Sequence, residues 1–144
     1  MDYKRAIPRI LVLLCISLVL ATSCKTSKKT PAKPVDITLE AEEFDGFYQK
    51  FHADTIFQKS RIKYPLQGQK YDGISRTRWT RDDFELITTK VYDVDTTEYK
   101  VHYQKSETEF IQKVWIENSG YLSEYKFKLI GNKWFLVSAV EQDI

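Results

Sequence analysis

The chain has 144 residues, 42% hydrophobic and 29% charged, with 22 basic against 20 acidic side chains. That length suits one ordinary domain, and a mean hydropathy of −0.43 excludes a polytopic membrane protein. Five glycines and four prolines exclude a low-complexity chain, and two cysteines exclude a disulfide-built scaffold.

Lys4, Arg5 and Arg9 precede a run of apolar and small residues from Ile10 to Ala21, broken only by Ser17. A spanning helix needs about 20 such residues, so this shorter run predicts the core of a signal peptide. Leu20-Ala21-Thr22-Ser23-Cys24 follows. It resembles the lipobox of bacterial lipoproteins, with Ala21 where a larger aliphatic is commoner. The resemblance implies that residues 1–23 are a lipoprotein signal peptide, and that Cys24 is lipidated, palmitate being one such acyl chain. A single chain holds a membrane marginally, whereas two or more anchor stably. Cys15 would leave with the signal, and the mature domain then has no free thiol for a disulfide, a nucleophile or a cysteine-ligated metal.

Residues 24–35 carry Lys25, Lys28, Lys29 and Lys33, with Pro31 and Pro34 and no acid. Such a stretch cannot bury enough surface to offset its ordering entropy, so it is expected to be a disordered tether. A lysine after the lipidated cysteine resembles outer-membrane sorting. The acidic run of surface-exported Bacteroidota lipoproteins is missing here. The expected location is the cell envelope, lipid-anchored in the outer membrane and facing the periplasm. The remaining residues, 36–144, hold 15 basic and 19 acidic side chains, a net of −4. The sequence pI near 8.4 therefore reflects leader and tether, and the domain lacks the basic footprint of a nucleic-acid binder. Arg76, Arg78 and Arg81 around Trp79 are expected as surface charges.

Within 36–144, Thr38 is the candidate cap of a first helix in which Phe44, Phe47, Tyr48 and Phe51 share one face. Glu40, Glu42 and Glu43 fall where the helix dipole favours acids. Asp54 is placed to cap a second short helix with Ile56 and Phe57, and Pro65 forbids its continuation. Ile62, Tyr64 and Leu66 predict a short extended segment, and polar, glycine-containing Gln67–Arg78 predicts a loop. Thr80 and Asp83 fit a capped turn before Phe84. Strands are then predicted over Leu86–Val94, Glu98–Gln104 and Phe110–Ile116. A hairpin joins Tyr121–Ile130 to Lys133–Val140 through Gly131-Asn132. Helices first and strands after is the α+β pattern. Nineteen aromatic residues lie in 36–144, and their burial is the expected source of the core.

The run FDGFYQKFHADTIFQKSRIKYPL, residues 44–66, resembles a family of Bacteroidota lipoproteins whose domain has no assigned function. Members are similar in fold to the nuclear transport factor two-like, cystatin-like cone superfamily. The resemblance implies N-terminal helices packed on a strongly curved antiparallel sheet, with residues 36–144 as a single cone domain. WTRDDF (79–84) and the hairpin around Trp134 are compatible with it. The superfamily contains isomerases, dehydratases, hydrolases and non-enzymatic modules, so the fold alone does not choose an activity.

Tyr48 and His52 are neighbours on a helix and would form an acid–base pair if they faced the cone mouth. His52 also sits at the edge of the aromatic face, where a packed histidine is the simpler role. Asp54 either caps the second helix or joins them as a catalytic group. Arg61 either pairs with Asp54, presents a fork to an anionic ligand, or ties the helix end to the following segment. Asp93, Asp95 and Glu98 supply oxygen ligands but lack the spacing of a calcium loop, so a polar connection is expected there and no metal. The presumed inward faces Tyr99/Val101/Tyr103 and Tyr125/Phe127/Leu129 offer phenols but no carboxylate, so no general base is evident on the sheet. Arg61, Tyr99, Tyr103 and Tyr125 are the ligand-binding candidates. The sequence thus predicts a membrane-anchored domain that binds a small apolar or aromatic ligand, or an envelope protein, without a cofactor. The alternative is a cofactor-free isomerase, dehydratase or hydrolase in the cone, and a homodimer through the outer sheet face is a further possibility.

Overall fold

Helix α1 (Phe44–Ala53) starts where Glu43 turns its carboxylate onto the free amides of Asp45 and Gly46, at 2.8 and 2.6 Å. The computed structural model describes residues 40–144; the signal peptide, tether, Cys24 and Thr38 lie outside them. The helix therefore begins later than a cap at Thr38 implies, because Glu43 is itself extended as the cap and Glu42 is committed elsewhere. The Glu42 amide donates to Asn132 O at 2.9 Å, at the tip of the closing hairpin. Asp54 caps α2 (Thr55–Ser60) by accepting from Ile56 N and Phe57 N, as its position predicts.

Six strands form one sheet: β1 (Ile62–Tyr71), β2 (Arg76–Thr77), β3 (Lys100–Lys105), β4 (Glu109–Trp115), β5 (Leu122–Ile130) and β6 (Lys133–Gln142). Their order is β2-β1-β6-β5-β4-β3. Every neighbouring pair is antiparallel except β1 and β6, which run parallel. That pair is the departure from a wholly antiparallel sheet. The expected loop over Gln67–Arg78 is largely strand, since Gln67 to Tyr71 pair with Ser138 to Gln142. Gly68 marks close approach rather than a loop: at φ +90° it lies against Ala139, where an added Cβ would stand 2.0 Å from the carbonyl oxygen. Pro65 falls where β1 bows out of register between Ile62 and Gln67, so its missing N–H breaks no ladder bond.

The expected strand over Leu86–Val94 is instead an irregular segment with a 3-10 turn at Val91–Asp93. Its backbone groups are taken by side chains rather than by a neighbouring strand. Buried Gln58 accepts from Ile87 N at 2.9 Å and donates to Ile87 O at 2.7 Å, and the Val91 amide donates to the Tyr48 hydroxyl at 3.0 Å. Periodicity cannot register such partners.

The aromatic face of α1 packs as predicted. Phe44 lies 4.6 Å from Phe110 and 4.9 Å from Trp134, and Phe51 lies 5.2 Å from Phe127. Gly131, at φ +64°, opens the β5–β6 hairpin, fitting a type II′ turn. Further along that pair, the register slips between Lys126 and Phe127, so that Leu136 pairs with Phe127 but Ser138 with Lys126. The extra residue, Val137, reverses the alternation of β6. Trp134 and Leu136 face inward, but then Ala139 does, not Val140. Glu141 follows Ala139 onto the same face.

Candidate functional site

The bulge in β6 creates the site. Under α1 the inner sheet face is apolar: Phe110, Phe127, Trp134 and Leu136. Beyond the helix it becomes polar, with Gln112 on β4, Ser123 and Tyr125 on β5, and Glu141 on β6. The ladder sets Gln112 directly opposite Tyr125 and Ser123 directly opposite Glu141. Side chains opposite one another on one face touch. The irregular segment around Ile87 and Val91 arches over this patch and leaves two hollows open to solvent.

The first hollow, about 420 Å³, is bordered by Tyr71, Ile87, Tyr121, Ser123, Tyr125 and Glu141. The second, about 340 Å³, is bordered by Val91, Tyr99 and Gln112 and shares Ile87, Tyr121, Ser123 and Tyr125 with the first. Both lie in the size range of small-molecule sites. Their rims are acidic. Asp72, Glu85, Glu141 and Asp143 line the first, with Lys70 the one basic residue there, and Lys70 is ion-paired to Glu85 at 2.8 Å. Asp93 and Asp95 line the second, which has no basic residue on its wall.

The Tyr125 hydroxyl donates to Glu141 Oε1 at 2.5 Å. Burial first, and the Glu141 charge second, push the Tyr125 phenol well above its ordinary range. It therefore remains a proton donor and holds Glu141 in place. No cation lies within ion-pair distance of Glu141 among the described residues. Ser123 is 7% exposed, yet its hydroxyl bonds to none of the described residues.

Gln112 is equally constrained. The Val91 amide donates to the Tyr48 oxygen, so the Tyr48 hydroxyl must donate onward, to Gln112 Oε1 at 2.5 Å. That relay fixes the amide and leaves its NH₂ end without a partner among the described residues, on the wall of the second hollow.

The structure separates the residues expected to form a catalytic group. Tyr48 is 1% exposed and both roles of its hydroxyl are occupied; burial raises its pKa far above a phenol's usual value. His52 does not bond to that hydroxyl. Its Nδ1 lies 2.8 Å from the Tyr48 carbonyl, and burial pulls the imidazole below 6.5. Asp54 is an exposed cap. Arg61 pairs with Glu42 in a two-pronged bridge at 2.8 and 3.0 Å rather than with Asp54, and also donates to Trp134 O. It ties the helix end to the hairpin, far along the chain from the segment before Pro65.

Among the ligand-binding candidates, Tyr99 and Tyr125 line the hollows, and Tyr99 packs on Tyr121 at 5.7 Å. Tyr103 stands on the edge strand, half exposed, against Tyr92, and neither it nor Arg61 borders them. Asp95 accepts from the amide and hydroxyl of Thr97, closing a polar turn. No group of three side chains able to hold a metal occurs among the described residues. The expectation of a sheet without a carboxylate is overturned by Glu141. Its signal was the bulge, which a strict two-residue period hides.

Helices packed into a curved sheet with an open mouth define an NTF2-like α+β cone. A family model described only as "-like", for a Bacteroidota domain of unknown function, matches residues 42–143, and the chain belongs to that family. A protein from Bacteroides uniformis, solved by NMR, is similar at 26% identity and TM-score 0.55, over 69% of this chain and 76% of that one. An NTF2-like protein from Bacteroides fragilis is similar in fold at 21% identity and TM-score 0.50, over 73% of this chain. The match covers 49% of that protein, so this chain spans about half its length. No curated protein matches the chain significantly.

Proposed function

We propose that the protein is a lipid-anchored module of the cell envelope that binds a small molecule in the mouth of its cone. Cys24 carries the lipid, the Lys/Pro segment 25–35 gives reach from the membrane, and the cone holds the ligand. The observation that supports binding is the floor of the cleft. Ser123, whose hydroxyl bonds to none of the described residues, lines the hollow opposite a carboxylate held by Tyr125. A hydroxyl free of protein partners beside a positioned carboxylate, both on the wall of one hollow, is an arrangement that suits a ligand.

Two experiments test the proposal. In an NMR fragment screen on the full chain in detergent, hits should move the amide signals of Ser123, Tyr125 and Glu141. Hits confined to other surfaces refute ligand binding at this site. For the anchor, Cys24→Ser should shift the protein from the membrane to the soluble fraction, and undiminished retention refutes lipidation at Cys24.

A second reading draws on the same pair. A carboxylate bonded to a phenol on a cavity wall is an acid–base arrangement, so cofactor-free isomerase, dehydratase or hydrolase chemistry would centre on Glu141. Tyr48 and Asp54 are occupied in structural roles.

A further inference from the structure

We propose that the ligand of this cleft is a small organic cation, a primary amine that also carries a neutral carbonyl oxygen. The inference rests on the ligand-binding reading above and names the chemistry of that site.

Three independent features lead to it. The first is charge. Six carboxylates border the joined hollows, and the one basic residue on their walls, Lys70, is engaged by Glu85. Asp93 is likewise paired, to Lys90 at 3.0 Å, but Asp72, Asp95, Glu141 and Asp143 have no cation within ion-pair distance among the described residues, so an anion entering there meets a net negative rim. The second is the arrangement of acceptors. Tyr125 occupies one oxygen of Glu141, leaving the other free of donors among the described residues, and Ser123, directly across the β5–β6 ladder, lines the same hollow. An ammonium group, with three donors and no acceptor, satisfies both. A bare metal ion does not fit, since no three-ligand cluster occurs among the described residues. The third is the opposite requirement one strand away. The Tyr48 relay leaves the Gln112 NH₂ without a partner among the described residues on the wall of the second hollow, free to donate to an acceptor there. Asp95 beside it, without a cation within ion-pair distance among the described residues, favours a neutral carbonyl over a carboxylate, Asp93 being paired to Lys90. Between these two polar ends, Ile87, Tyr121 and Tyr125 form a shared wall. Tyrosine faces attract cations as well as apolar bodies.

The test uses three probes on one benzamide frame: 4-(aminomethyl)benzamide, its neutral isostere 4-(hydroxymethyl)benzamide, and the anion 4-carbamoylbenzoate. They are titrated into the ¹⁵N-labelled full chain while the Ser123, Tyr125 and Glu141 amides are followed. The cation should bind about tenfold more tightly than either of the others. Glu141→Gln keeps an acceptor for Tyr125, and it should abolish that preference while leaving the neutral probe unaffected. Benzylamine, which lacks the carboxamide, should bind more weakly than 4-(aminomethyl)benzamide. If Glu141→Gln does not fold, salt decides on the wild-type chain. Raising ionic strength from about 0.05 to about 0.5 M should weaken the cation and spare the neutral probe. Equal affinity for cation and neutral probe, or a cation affinity indifferent to salt or to Glu141→Gln, overturns the cationic assignment and leaves small-molecule binding standing. If no probe moves these amides at millimolar concentration, both fall.

Discussion

The two halves of the inner sheet face are built from the same strands but are finished differently. Beneath α1, Phe110, Phe127 and Leu136 are fully buried and Trp134 nearly so, filled by the phenylalanines of the helix. Past the Val137 bulge the face carries Gln112, Ser123, Tyr125 and Glu141, covered only by the arching segment around Ile87 and Val91, which leaves two hollows beside them. A core half closes because apolar area leaves water. The polar half is closed less completely because the Ser123 hydroxyl, the Gln112 NH₂ and one Glu141 oxygen have no partners among the described residues to offset full loss of water. One inserted residue in β6 marks the boundary. Upstream of it the inward positions are Trp134 and Leu136, and downstream they are Ala139 and Glu141.

The sharpest way to break this contrast is in the closed half. Phe127 touches Phe44, Phe47, Tyr48, Phe51 and Phe110. Phe127→Ala should destabilise the domain by about 3–5 kcal/mol, since a dense ring cluster cannot collapse into the hole. Urea denaturation measures it, and a loss below about 1 kcal/mol would show that this half is not close-packed.

Gln58 tests what holds the open half open. It ties the arching segment down through both backbone groups of Ile87, and it donates to the helix-end carbonyl of Phe51 at 2.7 Å. Gln58→Leu preserves bulk but strands these buried groups, at about 1–3 kcal/mol for an unsatisfied group. A total loss of about 2–4 kcal/mol is expected, together with faster amide exchange at Ile87. Unchanged protection of the Ile87 amide would mean that the arch is held by something other than this clamp.

Much of the closed half was legible in the sequence, and little of the open half was. The helix face of Phe44, Phe47, Tyr48 and Phe51 shows because burial imposes a 3.6-residue period. The Asp54 cap shows because the local chemistry of a helix start is short-range. The β5–β6 hairpin shows because Gly131 supplies a positive φ. By contrast, Leu86–Val94 has strand composition but no strand, since Gln58 and Tyr48 satisfy its backbone from far along the chain. Glu141 was hidden because a bulge is a relation between two strands and leaves no trace in one. Local pattern offers Arg61 the nearby Asp54 as a partner, whereas the structure pairs it with Glu42, 19 positions away across a helix pair and out of reach of such a pattern.

His52, at the edge of the closed half, gives the smallest effect and a direct check on how dry that edge is. Its Nδ1–H donates to the Tyr48 carbonyl, and Nε2 is buried with no partner among the described residues. Burial is the main cause of its lowered pKa. Lys90 adds to the lowering, while the Tyr48 bond and Asp93 oppose it. The folded state therefore favours the neutral ring and binds fewer protons than the unfolded chain below pH 6.5. The stability tied to this group is present above 6.5 and is lost as pH falls through that value toward the lower folded pKa. Asp72, Asp95 and Glu85 are all lowered from ordinary carboxylate values, so their contributions are lost only in more acid solution. The interval between about pH 5 and pH 6.5 thus isolates the imidazole. Urea denaturation across it should show falling stability in the wild-type chain and a flatter profile in His52→Gln. Parallel profiles would mean that water reaches Nε2 and that the aromatic half is less sealed than its packing indicates.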